Sequence, residues 1–250
     1  MQSMTVIEAP PAQVETPPCP DCGGLGFLRR EVAPGHPDFG QPVKCTHPAH
    51  QAKRMAQLAR ISGLLPLELS FRLSDISVED GNQEMVKAAR EMVKGGQGWL
   101  YIHGGPGNAK SIALMAMVNE VNLSGRGPAM YIKLSALIEY MRDSFRQQAT
   151  LDSNPFADQG YIARFRRILS IPFLAIDEMD KARVTPFAQE FRFDFLDERY
   201  RQGVAGQTAT VFAGNLDPAS LPVELYDRIS DGRFSIVENS AASARPGMGK

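Results

Sequence analysis

Residues 104–111 combine glycines with one lysine and one hydroxyl, which are the residue types of a phosphate-binding loop. They are Gly104, Gly105, Pro106, Gly107, Asn108, Ala109, Lys110 and Ser111, and Ile112 follows them. In such a loop the backbone N–H groups and the N-terminus of the next helix hold a triphosphate. Lys110 then reaches the β- and γ-phosphates, and the hydroxyl of Ser111 ligates Mg²⁺. The segment therefore predicts a binding site for a nucleoside triphosphate and Mg²⁺.

Ala109 departs from the usual form of this loop, which has glycine immediately before the lysine. If the backbone φ angle there is positive, alanine costs about 1 kcal/mol, because its Cβ crowds the backbone. We therefore expect a weakened loop that still binds nucleotide. The competing interpretation of residues 104–111 is a Gly/Pro-rich turn between a strand and a helix.

A second group of polar residues follows apolar runs that are typical of buried strands. Asp177 and Glu178 come directly after the run at 173–176, and Asn215 comes shortly after the run at 211–213. Downstream of a phosphate loop, Asp177 is expected to orient Mg²⁺ and its waters, and Glu178 to polarise the water that attacks the γ-phosphate. Asn215 can face the same phosphate and water. Considered separately, each group is an ordinary turn after a strand.

All three cysteines lie near the N-terminus, in a spacing that is typical of zinc ribbons. Cys19 and Cys22 are separated by two residues, and Cys45 comes later in the chain. A two-residue gap lets both thiolates converge on one tetrahedral Zn²⁺ ion. The fourth ligand is His47 or His50, and we favour His47. The competing interpretation is three reduced cysteines without a metal.

Around these residues the predicted elements alternate between strand and helix. Strands are expected at 99–103, 129–134, 173–176 and 208–213, and helices at 51–62, 83–94, 112–123, 135–148, 157–169, 187–201 and 219–230. Alternation of this kind predicts an α/β fold, in which helices cover both faces of a mostly parallel sheet and ligands bind at the carboxyl ends of the strands. The phosphate loop and the two acids both follow such strand ends.

Length and composition fit one α/β core with a small appendage. The chain has 250 residues, 43% of them hydrophobic, and a net charge of −1, so any nucleic-acid binding depends on local patches. We expect a disordered tail at 1–18, a zinc-ribbon-like module with a helix at 19–62, and the nucleotide-binding domain at 63–250. The sequence has no apolar run of membrane-spanning length and no charged leader, which predicts a cytoplasmic protein.

In their order along the chain, the phosphate loop, Asp177 with Glu178, Asn215, Arg228 and Arg245 resemble the motifs of AAA+ ATPases. The resemblance is specifically to the DnaC-type replicative helicase loaders and their IstB-type transposition relatives. It implies a P-loop NTPase fold of the AAA+ type, ATP hydrolysis, and assembly of several copies of the chain. It further implies that Asn215 is sensor 1, that Arg228 is an arginine finger acting on a neighbouring subunit, and that Arg245 is sensor 2.

The resemblance covers roughly residues 69–245 and includes 195–200, where an arginine follows an apolar and acidic helix segment. It implies single-stranded DNA and a ring helicase, or a transposase, as partners, with the N-terminal module as the docking element. Basic residues near strand ends and on helix faces are candidates for the DNA contact: Lys133, Arg142, Arg146, Arg164, Arg166 and Arg167, around Phe165. Each can equally belong to a solvated helix face. A nucleotide-gated adaptor that scarcely hydrolyses ATP is the remaining alternative.

Overall fold

The computed structural model describes residues 19–23, 27–29, 31–34, 36, 39–40, 42–148 and 160–243. The predicted tail at 1–18 and Arg245 lie outside the described residues. By its contacts the chain divides into two units, Met1–Arg54 and Met55–Lys250. This division falls within a single helix, α1 (Pro48–Ile61), so it does not decide where a domain ends. The predicted domain limits at 19–62 and 63–250 stay a prediction.

The first unit contains a short hairpin that the sequence does not predict. Strands β1 (Phe27–Arg29) and β2 (Pro42–Lys44) pair antiparallel, with Leu28 opposite Val43. Because side chains alternate across a strand, Leu28 faces away from its neighbours in β1. It packs against the buried thiols of Cys19, Cys22 and Cys45. The hairpin thereby provides the apolar cover of the cysteine cluster.

The second unit is built on a parallel sheet of five strands. In chain order these are β3 (Gly98–His103), β4 (Ala129–Lys133), β5 (Phe173–Asp177), β6 (Ala209–Ala213) and β7 (Ser235–Glu238). Their order in the sheet is β4-β5-β6-β3-β7, and every pair is parallel. The three central strands are buried throughout, which explains their nearly continuous apolar sequences.

Helices cover both faces of this sheet, so the predicted α/β fold class is confirmed. Helices α2 (Gln83–Val93) and α3 (Lys110–Leu123) pack on one face. The other face carries α4 (Leu134–Gln148), α5 (Tyr161–Leu169), α6 (Pro186–Val204) and α7 (Val223–Ile229). Alternate strand residues supply two cores, for example Leu100 towards α2 and α3 and Trp99 towards α6. None of the helices in the described part of the chain is long and apolar enough to cross a membrane.

The predicted elements agree with the structure to within a few residues, with one exception. The expected helix at 219–230 is a 3₁₀ turn, Pro218–Ser220, followed by α7. Leu221 separates them in an extended conformation, because a residue before proline avoids the helical region and Pro222 follows it. The sequence also does not predict β7, which is short and ends in polar residues. The first residues of the predicted helix at 157–169 lie outside the described residues.

Arg199, the arginine of the segment at 195–200, lies in the interior of the second unit. Its guanidinium donates to Oγ1 of Thr210 at 3.0 Å and to the backbone oxygens of Leu169, Ile171 and Ala209 at 3.2, 2.7 and 2.8 Å. Burial lowers the pKa of Arg199 to about 10. Its hydrogen bonds tie α6 to the starts of β5 and β6, so this arginine has a structural role within the chain.

Candidate nucleotide site

A cavity of about 370 Å³ lies at the carboxyl ends of the strands. It is bounded by the phosphate loop, by the turn after β5 and by the turn after β6. The residues that line it are Pro106, Gly107, Asn108, Ala109, Lys110, Ser111, Ile112, Asp177, Glu178, Asp180, Lys181, Gly214 and Asn215. The structure therefore brings together the predicted loop, both predicted acids and Asn215. It adds Asp180 and Lys181, which no motif in the sequence indicates.

The loop between β3 and α3 has the left-handed backbone of a tight turn. Gly104 and Gly107 have φ angles of 132° and 82°, and a Cβ at Gly104 would collide with the backbone oxygen of Asn239. Ala109 has φ 65° and ψ 11° at the N-cap of α3. The condition for strain at Ala109 is thus met, because only glycine adopts this region freely.

Lys110 is 7% exposed and folds back over its own loop. Its Nζ donates to the backbone oxygens of Gly104 and Gly105 at 2.8 and 2.6 Å, and to Oδ1 of Asn108 at 2.9 Å. Gly104 and Gly105, predicted as binding residues, therefore contact the lysine through their carbonyl groups. The ammonium group is held at the centre of the loop, beside the cavity.

Asp177 ends β5 with a buried carboxylate whose two oxygens both accept hydrogen bonds. Oδ2 accepts from Oη of Tyr131 at 2.7 Å, and Oδ1 accepts from the backbone N of Glu178 at 2.8 Å. Burial and the bond to Asp177 raise the pKa of Tyr131 far above its usual value, so the phenol remains a donor. Tyr131 lies on β4, next to β5, and orients Asp177 at the cavity, where Ser111 also lies. An acid and a hydroxyl facing one space are ligands that suit Mg²⁺.

Glu178 follows Asp177 in a left-handed conformation with φ 55°, which is rare for a residue with a side chain. Its Oε1 lies 3.2 Å from Nζ of Lys133 and 3.1 Å from Nζ of Lys181. Burial by itself raises the pKa of Glu178, but the hydrogen bonds from Lys181 and Lys133 and their charges hold it below its usual value. Glu178 is therefore ionised and paired. Lys133, a candidate for DNA contact, thus forms an ion pair with Glu178.

Asn215 lines the cavity from the turn after β6. Its backbone N donates to Oδ1 of Asp180 at 3.1 Å, and its Nδ2 donates to Oδ2 of Asp180 at 3.0 Å. Asp180 comes from the turn after β5. The two turns are joined further by the backbone N of Met179, which donates to the oxygen of Ala213 at 3.0 Å.

A second cavity of about 220 Å³ lies on the other side of the phosphate loop. It shares Asn108, Ala109 and Ile112 with the first cavity. Its other lining residues come from the segment before α2 and from the chain after β7, namely Asp75, Ile76, Ser77, Glu79, Asn82, Ala241 and Ala242. The start of α3 is thus flanked by two adjoining cavities, and Asp177 and Glu178 line the first of them.

No family model and no curated protein matches the chain. Solved structures do match it. The DnaI structure has a TM-score of 0.52 and 20% identity, with 76% of this chain and 99% of DnaI covered. The DnaC helicase loader has a TM-score of 0.53 and 14% identity, with 70% and 100% covered. DnaA bound to AMPPCP and single-stranded DNA has a TM-score of 0.58 and 16% identity, with 72% and 51% covered.

The chain has the AAA+ P-loop ATPase fold. The matches to DnaI and the DnaC helicase loader extend over almost the full length of those structures, and the chain spans about half the length of the replication initiators it matches. Sequence identities of 14 to 20% indicate a shared fold but not a shared activity. What an AAA+ fold does depends on its site, and the residues above form that site.

Arg228, the predicted arginine finger, is not among the described residues that line the 370 Å³ cavity. It lies on α7, where its Nη2 is 2.6 Å from Oδ1 of Asp197 on α6. Its guanidinium also lies over the ring of Phe193, 5.4 Å from the ring centre. Arg228 therefore does not contribute to the cavity of its own chain. Arg245, the predicted sensor 2, lies outside the described residues.

The cysteine cluster of the first unit has the donor set of a zinc site. The thiols of Cys19, Cys22 and Cys45 are buried and lie within 4.8 Å of one another. The His47 backbone lowers the pKa of Cys45, but burial and the two neighbouring thiols raise it to about 11. Crowded thiols resist ionisation, whereas a divalent cation among them favours thiolates. The cluster can therefore hold Zn²⁺.

Two further side chains lie beside the cysteines as possible fourth ligands. A ring nitrogen of His47 and a carboxylate oxygen of Asp21 form a second group with the sulfur of Cys19, again within 4.8 Å. The sequence indicates His47 but not Asp21. The side chain of His50, the alternative ligand, lies outside the described part of the chain.

The remaining candidates for DNA contact have different environments. Arg164 is buried, donates to the backbone oxygen of Tyr140 at 2.6 Å and lies over its ring, so its guanidinium joins α5 to α4. Arg142 pairs with Glu139 at 2.7 Å. Arg166 and Arg167 are exposed on α5, while the side chain of Arg146 is outside the described part of the chain. Burial removes Arg164 from the candidates.

Proposed function

We propose that this protein is an ATPase that places a ring helicase on DNA during replication. The observation that carries the proposal is the meeting of the phosphate loop, Asp177, Glu178 and Asn215 in one cavity. These are the parts that phosphoryl transfer to water needs, namely a phosphate cradle, a metal ligand, a base and a group that orients water. The AAA+ fold shared with the DnaI and DnaC structures supports the choice of helicase loading.

In this proposal the loop holds the triphosphate of ATP and the second cavity takes the nucleoside. Backbone N–H groups of the loop point to the phosphates, and Lys110 exchanges its carbonyl partners for the β- and γ-phosphates. Ser111 and Asp177 would hold Mg²⁺, which supplies positive charge at the phosphates. Tyr131 fixes the carboxylate of Asp177 for this purpose through its 2.7 Å hydrogen bond.

Hydrolysis in this proposal depends on Glu178 leaving its lysine partners. Only a carboxylate that is free of the ammonium groups of Lys133 and Lys181 can take a proton from the attacking water. Arg228 is proposed to stabilise the transferred phosphoryl group in the site of a neighbouring subunit, because it does not reach the cavity of its own. ATP turnover would therefore depend on homo-oligomer formation.

The partners follow from the same likeness. DnaA in one matched structure is bound to single-stranded DNA, and we propose that this protein binds single-stranded DNA as well. Exposed arginines on α5, Arg166 and Arg167, are the basic residues that support this. We propose that the cysteine cluster binds one Zn²⁺ and that the module around it docks on the helicase. We also propose a cytoplasmic location, in keeping with the replication role.

A specific observation favours a second candidate function, an ATP-gated adaptor with little hydrolysis. Glu178 is paired with two lysines, and Ala109 strains the loop. Such a protein would change its shape or partner when ATP binds and would turn over slowly. The two functions differ in the rate of phosphate release, since both need the nucleotide site.

Two substitutions test the nucleotide site itself. Lys110→Ala should abolish ATP binding, measured with a fluorescent ATP analogue, because the loop loses its ammonium group. Glu178→Gln should bind ATP like the natural chain but release no phosphate. Lys87→Ala, an exposed lysine on α2, is the matched control and should change neither property. Natural turnover in Glu178→Gln would show that Glu178 is not the base.

Helicase loading is tested on circular single-stranded DNA, which a closed helicase ring cannot thread without being opened. The full chain, a replicative ring helicase and the DNA circle are mixed with ATP, and the helicase retained on the circle is measured after a salt wash. We expect retention with the natural chain and none with Lys110→Ala. If the chain hydrolyses ATP but neither binds the helicase nor retains it on the circle, the protein is an ATPase and not a helicase loader.

A further inference from the structure

Asp180 and Asn215 make a bidentate contact at the rim of the 370 Å³ cavity. The two oxygens of Asp180 accept separately, one from the backbone N of Asn215 at 3.1 Å and the other from its Nδ2 at 3.0 Å. Asp180 belongs to none of the sequence motifs of the nucleotide site. Its carboxylate nevertheless holds the main chain and the side chain of Asn215, which lines that site.

This contact determines which end of the Asn215 amide faces Asp180. A carboxylate only accepts hydrogen bonds, so an amide oxygen placed 3.0 Å from Oδ2 would be repelled. The NH₂ group therefore takes that place, and the amide oxygen, Oδ1, is turned away from Asp180. An oxygen in that orientation is repelled by phosphate oxygens but can accept a hydrogen bond from the O–H of a water.

The surroundings hold this arrangement in place. Tyr101, on β3, donates from Oη to the backbone oxygen of Leu216 at 2.8 Å, which fixes the turn that carries Asn215. A Cβ at Gly214 would lie 3.0 Å from Oη of Tyr101 and 3.2 Å from Oδ1 of Asp180. A side chain at position 214 would therefore crowd both the phenol and the carboxylate. The pair is thus built into the ends of β5 and β6.

We propose that Asp180 is a positioning residue, which orients Asn215 so that Oδ1 accepts a hydrogen bond from the water that attacks the γ-phosphate. The inference rests on ATP hydrolysis as the proposed function. It assigns Asn215 an acceptor role towards water, in contrast to a donor role towards the phosphate. Asp180 itself contacts Asn215 and acts through it.

Asp180→Asn reverses the amide and so tests the proposal. Oδ1 of the new side chain can still accept from the backbone N of Asn215, which leaves its NH₂ facing the Asn215 amide. Asn215 then turns its oxygen to that NH₂ and its own NH₂ to the cavity. We expect kcat to fall ten- to a hundredfold, which is the order of loss for a misplaced reacting group. KM for ATP and AMPPCP binding should change less than twofold, because neither depends on the water.

The double substitution Asp180→Asn with Asn215→Asp restores an acceptor at the cavity. The new carboxylate accepts from the NH₂ at position 180 with one oxygen and presents its other oxygen to the water. We expect kcat to recover to within about fivefold of the natural chain. Asp217→Asn is the control, since it also removes one carboxylate charge, at a position two residues from Asn215. Asparagine can still accept the hydrogen bond from the backbone N of Ala219 that Asp217 accepts.

Three results would overturn the assignment. Natural kcat in Asp180→Asn would mean that the amide orientation does not matter. A double variant slower than Asp180→Asn would mean that residue 215 donates to the phosphate. Recovery of Asp180→Asn at high Mg²⁺ would place Asp180 at the metal. Absence of hydrolysis in the natural chain would overturn the proposed function itself, which the phosphate-release assay distinguishes from the other outcomes.

Discussion

Asn108 in the phosphate loop and Asn239 after β7 exchange two hydrogen bonds. Nδ2 of Asn108 donates to the backbone oxygen of Asn239 at 2.6 Å, and Nδ2 of Asn239 donates to the backbone oxygen of Asn108 at 2.7 Å. Asn239 is fully buried, and its backbone N donates to the oxygen of His103 at the end of β3. The chain that follows β7 therefore fixes the loop that begins where β3 ends.

Asn239→Ala should destabilise the protein and weaken nucleotide binding. The substitution leaves the backbone oxygen of Asn108 buried without this donor, a loss of about 1 to 3 kcal/mol. We expect the free energy of unfolding in urea to fall by about 2 kcal/mol and the affinity for AMPPCP to fall with it. Ser240→Ala, at the exposed neighbouring position, should change neither. An Asn239→Ala variant with natural affinity would show that the pair stabilises the fold without shaping the loop.

Ala109→Gly should stabilise the loop in which alanine adopts φ 65°. Relief of the left-handed strain gains about 1 to 2 kcal/mol, and the greater freedom of glycine in the unfolded chain offsets about 0.4 to 1 kcal/mol. We expect a net gain of about 0.5 kcal/mol in urea unfolding, with tighter AMPPCP binding. Ala136→Gly, on the exposed side of α4, should lose about 1 kcal/mol. Loss of stability in both variants would contradict the strain at Ala109.

Four strands of the parallel sheet, most helices and the principal acids could be predicted because they depend on local patterns. Apolar runs such as that before Asp177 identify buried strands, and Lys110 with its glycines identifies a phosphate loop. The partners of these residues could not be predicted, since they depend on the order of strands in the sheet. Asp180 meets Asn215 because β5 lies beside β6, and Asn239 meets the loop because β7 lies beside β3.

Whether a side chain is buried or paired could not be predicted from a local sequence pattern either. Arg164 and Arg166 are two residues apart on α5, yet Arg164 is buried over Tyr140 and Arg166 is exposed. Lys133 ends β4 beside Asp177, which brings its ammonium to Glu178. Such contacts follow from the packing of neighbouring elements and from no feature of the arginine or lysine itself.

Removal of the lysines around Glu178 should move the pH profile of ATP hydrolysis. The two ammonium groups hold the pKa of Glu178 below its usual value, so Lys133→Ala and Lys181→Ala should each raise it. The base is active when ionised, and the acid limb of kcat/KM should therefore shift to higher pH in both variants. Lys87→Ala should leave the limb in place. An unchanged limb would mean that it does not report the ionisation of Glu178.

Zinc content tests the cysteine cluster directly. We expect one Zn²⁺ per chain after purification without added metal, because three thiolates with a fourth ligand bind zinc tightly. Cys22→Ser should lose the metal. The zinc content of His47→Ala and Asp21→Ala should show which of these two side chains beside Cys19 is the fourth ligand. His36→Ala is the control. Metal-free protein with reduced, unmodified cysteines would contradict the zinc site.

Mixing two inactive variants tests whether Arg228 acts on a neighbouring subunit. Arg228→Ala keeps an intact cavity, and Lys110→Ala keeps an intact arginine on α7. Each variant alone should show little hydrolysis. Because a finger supplied between subunits can be restored by a mixed interface, the mixture should recover part of the natural rate, measured as phosphate release across a range of mixing ratios.

Assembly must be shown independently, by co-purification of the two differently tagged variants with AMPPCP. Recovery should be greatest near equal amounts, since that ratio forms the most interfaces with an intact cavity on one side and Arg228 on the other. Asp197→Asn is a useful companion, because it releases Arg228 from its 2.6 Å ion pair without removing it. It should remain active alone. A mixture that assembles but stays inactive would mean that Arg228 serves its own subunit, where its contact with Asp197 joins α7 to α6.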